Sequence, residues 1–559
     1  MSLTEHFDAV VVGSGFGASV VAYRLAEAGE QVCVLERGRA YPPGSFPRSP
    51  RDVARSVWDP RSGLFGMFDI WSFRRFESVV SSGLGGGSLI YANVLIRKDP
   101  QWFVEESPGG YRPWPVSYDD LEPHYKNVED MLGAQQYPFH LEPYSQTPKT
   151  IAMREAAQWL GLEWKLPNLA VTFANRGEAP VIGKPIREES PNLHGRTRDT
   201  CRLCGECDAG CNYGSKNTLD YTYLSRAKDH GAEIRTLAEV RRIEPMAGGG
   251  YRITYVQHDP DDDRARPITA LPHITVTAKR LVLGAGTFGS TYLLLRNRSA
   301  FPKVSAALGT RFSGNGDLLT FFRHARRKAD GGSVPRWLNP GFGPVITSAI
   351  RVGDRLDGDA ESGRGFYIED GGIPQFVNWL DEARGTPSAL LRAATFVVRR
   401  LAAHARGVPR SNVSADVEAV IGGGLRSSTW LPVLAQGRDT PDGVMRLKRG
   451  DLDLDWTMQS SSAYFTRVEG LLHQIAEVLG AKLTNWPLRL FERVITVHPL
   501  GGCPMGVNEA EGVVDDRGEV FGYRGLYVVD GAAMPGPVGP NPSLTIAAFA
   551  DRAADGMLP

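Results

Sequence analysis

The sequence predicts a mixed α/β fold built on a dinucleotide-binding domain that the chain leaves and re-enters twice, and three segments carry that reading. Residues 8–12 (Asp-Ala-Val-Val-Val) have the unbroken apolar character of a buried strand, Ser19 to Ala28 has helical periodicity, and Gln31 to Leu35 reads as a second strand. At Arg280 to Leu295, the run Leu281-Val282-Leu283 enters Gly284-Ala285-Gly286 and a helix-like stretch, and at Leu526 to Asp530 a strand ends in Asp530-Gly531. Hundreds of residues separate these pieces, so the nucleotide domain is expected in three parts (1–100, 201–300 and 491–559). Residues 101–200 and 301–490 would form an inserted substrate domain, a β-sheet flanked by helices. Connections rich in proline and glycine at 134–149, 177–200 and 330–345 suit such an insertion.

Composition narrows the function. Hydrophobic residues make up 42% of the 559 and charged residues 23%, which is ordinary globular usage. Lys plus Arg equals Asp plus Glu at 63 each, so no global basic field draws the chain to nucleic acid. The N-terminal segment has no basic and apolar leader pattern, and no stretch reaches the roughly 18 apolar residues of a membrane span. A soluble, cytoplasmic protein is expected. The Arg-rich amphipathic stretch Ala389 to Arg406 would allow peripheral contact with a membrane surface or serve as a lid, and Asp259 to Asp263 reads as a solvated turn.

The first βαβ unit carries Gly13-Ser14-Gly15-Phe16-Gly17-Ala18 between strand and helix, with Glu36 at the end of the second strand. In that setting Gly13 makes the tight turn, Gly15 lets backbone approach a pyrophosphate, Ala18 permits close helix packing, and Glu36 takes ribose hydroxyls. This Rossmann-like fingerprint does not separate FAD from NAD. Gly83-Leu84-Gly85-Gly86-Gly87-Ser88 adds backbone without Cβ atoms, as needed where chain passes over a flat cofactor, and Asn93 follows it. Val240, Ala285, Gly286, Asp530 and Gly531 are assigned to the cofactor from the later pieces.

Near the C-terminus, Asn541 fits a helix N-cap and Pro542 the first position of a helix running from Leu544 to Ala554. That helix start would face the cofactor ring and stabilise its reduced, anionic form. Upstream, His498 in Val497-His-Pro-Leu-Gly-Gly-Cys503 is the natural base for a hydroxyl proton near neutral pH.

With the fingerprint, Gly83–Ser88, His498-Pro-Leu-Gly-Gly and Asp530-Gly through Asn541-Pro-Ser-Leu-Thr in order, the chain resembles the glucose–methanol–choline (GMC) oxidoreductases from end to end, and within them the cholesterol-oxidase-like branch. The resemblance implies noncovalent FAD, an alcohol substrate that is sterol-like or otherwise bulky and hydrophobic, and hydride transfer from its carbon to flavin N5. His498 would be the base, with Asn541 beside it. Glu369, in Tyr367-Ile-Glu-Asp, is the one carboxylate to match the group that isomerises the product enone in cholesterol oxidases. Leu89-Ile90-Tyr91-Ala92-Asn93 departs from the well-studied sterol oxidases, where an Asn comes sooner. Two rival readings keep the fold: a lyase or light-driven decarboxylase, and an electron-transfer flavoprotein.

Four of the six cysteines, Cys201, Cys204, Cys207 and Cys211, follow the C-x2-C-x2-C-x3-C spacing of bacterial ferredoxin clusters, with Asn212 where those have proline. An iron–sulfur cluster, zinc, and free or redox-active thiols are the three readings. A cluster would favour a dehydrogenase with a protein or quinone acceptor over an oxidase using O2. Cys33 lies in a strand and reads as core packing.

Overall fold

The structure is a computed structural model that describes residues 5–48, 52–53, 55–107, 110–261, 270–330, 332–358, 363–372, 429–485 and 494–558. The predicted first unit forms: strand β1 spans Glu5–Val12, helix α1 Phe16–Glu27 and strand β2 Val32–Leu35. The helix starts three residues before the Ser19 of the periodicity, because Gly15 caps it in extended backbone and Gly17 sits in its first turn. A Cβ on Gly17 would lie 1.8 Å from the carbonyl oxygen of Val529, so the turn rests directly on another chain segment. Close backbone contact sets that start, and an apolar rhythm cannot report it.

The remaining pieces return to the same sheet. These are β3 (Glu233–Arg235), β4 (Ala238–Pro245), β5 (Tyr251–Gln257), β6 (His273–Leu283), helix α2 (Gly286–Arg296), β7 (Leu526–Val528) and helix α3 (Ser543–Met557). The strand order is β3-β2-β1-β6-β5-β4. The 11-residue β6 pairs in parallel with β1 on one side. Its other side is shared, antiparallel with β5 along 273–278 and parallel with β7 along 281–283. Residues 9–12, 32–35, 281–283 and 526–528, at the centre of the parallel part, are apolar and buried, as strands covered on both faces must be. Their carboxyl ends lead to Gly13, Glu36, Gly284 and Val529 on one edge, where open α/β sheets bind ligands.

A second sheet of six strands, antiparallel throughout, runs in the order Glu163–Lys165, Ala349–Val352, Phe366–Asp370, Leu431–Gly437, Leu318–Arg323 and Lys482–Asn485. A three-stranded sheet, Val494–Thr496 beside Phe76–Ser81 and Phe68–Ser72, joins the two regions. Asp551 on α3 ties three helices together: it pairs with Arg24 of α1 at 2.6 Å and His124 at 2.7 Å, and accepts from Asn127 at 3.0 Å, the last two on the helix Tyr118–Met131. Asp259 to Asp261 form an exposed turn, whereas Ala389–Arg406 lies outside the described residues. No helix among the described residues is long and apolar enough to cross a membrane.

Gly17→Ala tests the packing of α1 on the Val529 segment. It is expected to cost about 1–3 kcal/mol through forced backbone movement, read as a lower midpoint in denaturant unfolding; an unchanged midpoint would show that the contact yields freely.

Candidate active site

A cavity of about 530 Å3 opens at the carboxyl ends of the parallel strands and runs to the second sheet. Gly13 and Gly15 line one end. Gly13 has φ +95°, and a Cβ on it would meet the Gly284 carbonyl at 2.4 Å. Gly15 differs: a Cβ there finds no protein atom nearer than 4.0 Å, so its missing side chain leaves room on the cavity side. Glu36 is buried at the end of β2, accepts from Ser14 Oγ at 2.6 Å and from the Gly38 N–H at 2.8 Å, and its carboxyl is pushed up by burial. Val240, Ala285, Gly286, Asp530, Gly531, Asn541 and Pro542 also line the cavity. Asp530 is pushed up to about 6 by burial, against hydrogen bonds from Ser290 Oγ and the Ala532 N–H.

Other residues expected at the cofactor stand behind it. Ala18 is not on the cavity wall; it packs where a Cβ on Gly284 would come within 2.6 Å of its own, which is the close approach expected of it. In the second glycine loop Gly86 and Gly87 line the cavity, whereas Gly83, Gly85 and Ser88 do not. Gly86 lies over Gly15, the N–H of Gly85 donates to Ser14 Oγ at 3.0 Å, and Ser88 Oγ donates to the Gly85 carbonyl at 2.7 Å. These three brace the loop. Asn93 is fully buried at φ +71°, off the cavity wall, and its amide faces the Cys207 thiol.

At the far end of the cavity His498 and Asn541 share the wall with Asp317. His498 follows the strand Val494–Thr496 and its Nδ1 lies 2.9 Å from Asp317 Oδ1. Asp317 Oδ2 accepts from Thr496 Oγ1 at 2.6 Å and from the Val497 N–H at 2.9 Å. A carboxylate only accepts, so the ring donates from Nδ1, and it is Nε2 that can present a lone pair. Asn315, two residues earlier, grips the Asn541 loop: its Nδ2 donates to the carbonyls of Gly539 and Pro540, and its Oδ1 accepts from the Gly539 N–H. Sequence reasoning missed both Asn315 and Asp317. The signal was Gly314-Asn-Gly-Asp317, a turn signature that says nothing of what its side chains will meet.

Asn541 does not cap α3, as expected of it; Pro542 holds the cap position and the helix begins at Ser543. The Asn541 Nδ2 instead donates to Glu369 Oε2 at 3.2 Å. Glu369 is fully buried behind Asn541 and off the cavity wall, and burial pushes it up to about 8. Leu319, Pro432 and Leu434 of the second sheet, with Val345 and Ile346, make an apolar wall.

A second, small cavity of about 20 Å3 is lined by Cys201, Cys204, Cys207 and Cys211 together with Tyr213, Ser215 and Lys216. All six cysteines are free. Among the described residues no group of three or more His, Cys, Asp or Glu side chains is placed to hold a metal ion.

Comparison with known proteins agrees with this architecture. Two family models, each described as GMC oxidoreductase, match residues 191–313 and 448–550. A cholesterol oxidase from Mycobacterium tuberculosis is 29% identical over 98% of this chain and 90% of its own length. A cholesterol oxidase from Acinetobacter baumannii is 27% identical over 98% and 93%. A solved structure of formate oxidase from Aspergillus oryzae superposes with TM-score 0.59 at 14% identity, covering 99% of this chain and 98% of that one, which shows a shared fold.

The raised Glu369 carboxyl predicts a pH-dependent stability. The folded protein holds a proton that the unfolded chain releases above about pH 4.3, so stability falls as pH rises from there through about 8. Glu369→Gln is therefore expected to gain on the wild type between pH 5 and pH 8, by about 2 kcal/mol or more, in denaturant unfolding at the two pH values. Parallel pH profiles would remove the assignment.

Proposed function

Because the chain belongs to the GMC oxidoreductase family and is an FAD-dependent oxidoreductase acting on CH–OH donors, we propose that it oxidises a sterol or a similarly bulky hydrophobic secondary alcohol, with His498 as base. The observation that carries this reading is His498 held by a buried carboxylate at a cavity whose adjoining wall is apolar. The residues present fit the cofactor. Gly15 offers a cradle that a side chain would fill, the N-terminus of α1 supplies N–H groups for a diphosphate, and Glu36 has a buried carboxylate for ribose hydroxyls. FAD, when bound, accepts the hydride of the alcohol carbon.

The chain's own part is to place and deprotonate. His498 Nε2 takes the hydroxyl proton, and Asp317 steadies the resulting imidazolium through Nδ1–H. Asn541 positions the hydroxyl beside His498. Glu369 acts through Asn541, holding its amide, and is a positioning residue in this reading. The apolar wall of Leu319, Val345, Ile346, Pro432 and Leu434 receives the hydrocarbon body and keeps water from the reacting carbon. The two electrons leave to dioxygen or to an external acceptor. The names of the two cholesterol oxidase relatives support the sterol assignment.

Anaerobic addition of cholesterol and a panel of hydrophobic alcohols is expected to bleach the flavin absorbance with at least one of them. Intact flavin with every alcohol would overturn the reading. His498→Ala should keep its flavin and lose roughly 10²–10⁴ in turnover. Asp317→Asn should retain flavin and lose about 10²-fold or more, because an amide no longer selects the Nδ1–H tautomer; turnover unchanged in either variant counts against the assigned base.

A further inference from the structure

From the cysteine loop we infer that residues 201–211 hold a polynuclear iron–sulfur cluster beside the cofactor cavity, as the exit for electrons taken from the alcohol. This extends the alcohol-oxidation reading. The four cysteines meet on the wall of one small cavity even though they are spread over a loop with little regular structure. Leu203, Gly205 and Gly210 have φ of +57°, +66° and +82°, so the loop folds back on itself, and backbone N–H groups reach its sulfurs. The Leu203 N–H donates to Cys201 Sγ at 3.5 Å, and the backbone N–H groups of Glu206 and Val345 donate to Cys204 and Cys207.

Two further groups point to a ligand at the sulfurs. The amide of Asn93 is fully buried against Cys207, and neither its Nδ2 nor its Oδ1 has a hydrogen-bond partner of ordinary geometry among the described residues. Ser215 Oγ, on the wall of the same cavity, is buried without a partner as well. Unsatisfied buried donors are costly, and sulfides or ligated thiolates would accept from both. Lys216 Nζ, buried and 2.6 Å from the Cys207 carbonyl, places a cation beside the cluster's negative charge. A cluster spreads its four cysteines around a core of several iron atoms, so it does not need them about one point, as a single ion does. Loading of such a core would accompany folding of the loop.

The position gives the cluster its use. Cys207 lines the cysteine cavity and the next residue, Asp208, lines the cofactor cavity. Oxidation of one alcohol to its ketone releases two electrons and two protons. The electrons pass singly through the cluster to a quinone, which takes the two protons and becomes quinol.

The test is iron, sulfide, zinc and flavin content of the full chain purified without oxygen, with electron paramagnetic resonance after dithionite reduction. Wild type and Cys33→Ser are expected to carry roughly two to four iron atoms with matching sulfide and a reduced-cluster signal. Cys211→Ser is expected to lose iron and signal, keep flavin and its bleaching by alcohol, and fail to reduce a short-chain ubiquinone. Flavin-loaded wild type without iron or sulfide after reconstitution, zinc in their place, iron retained by Cys211→Ser, or quinone reduction undiminished in that variant would overturn the inference. Cluster content is read without any alcohol, so failure of the alcohol assay leaves it intact and overturns the function reading alone.

Discussion

The short turn from Ser313 to Asp317 is the constraint on which the His498 end of the large cavity depends. It stands at the start of the strand Leu318–Arg323 of the second sheet, yet its side chains hold two loops that come from much later in the chain. Asp317 takes the Thr496 hydroxyl, the Val497 N–H and the His498 ring, while Asn315 takes both faces of the Gly539–Pro540 backbone. Ser313 Oγ supports the turn by accepting the Asn315 N–H and donating to the buried carboxyl of Asp439. His498 and Asn541 thus receive their relative placement from one rigid element. Their 43-residue separation in sequence could not supply it, because a long connection leaves the relative position of its ends open.

Around that centre the irregular backbone is wired by buried lysines. Lys98 donates to the carbonyls of Pro537 and Val538, Lys149 to those of Pro344, Val345 and Gly371, and Lys216 to those of Leu89, Tyr91 and Cys207. Each ammonium group is placed where loops without a sheet or helix leave carbonyl oxygens unpaired in the interior. Such carbonyls are expensive to bury alone, and a three-donor cation satisfies two or three at once. Burial lowers all three lysines from their ordinary range, Lys216 to about 8. Several of the tethered residues, Val345 and Gly371 among them, line the large cavity, so these contacts shape it.

The same rule separates what was legible from what was not. The βαβ unit, the return strands β6 and β7 and the C-terminal helix could be read because local apolar runs and glycine positions specify them. The fingerprint's Gly13, Gly15 and Glu36 stand on the cavity, as glycine conformation and strand ends require. The assignments that moved are those whose role depends on a distant neighbour. Asn541 looked like a cap by its place before a proline, but the buried Glu369 carboxyl takes its amide. Asn93 looked like part of the cofactor loop, but its left-handed backbone turns the side chain toward Cys207.

By itself the sequence determined the α/β class and the strands and helices of the first unit, and it carries the resemblance to the GMC oxidoreductases. Those follow from short-range rules: strand and helix periodicity, glycine where a Cβ has no room, and a histidine among glycines. Only the tertiary structure decided that Asp317 orients His498, that Glu369 backs Asn541, and that four cysteines line one small cavity beside the larger one. Each of these is a contact between segments far apart in the chain, and a side chain's partner, burial and protonation are properties of the space it occupies.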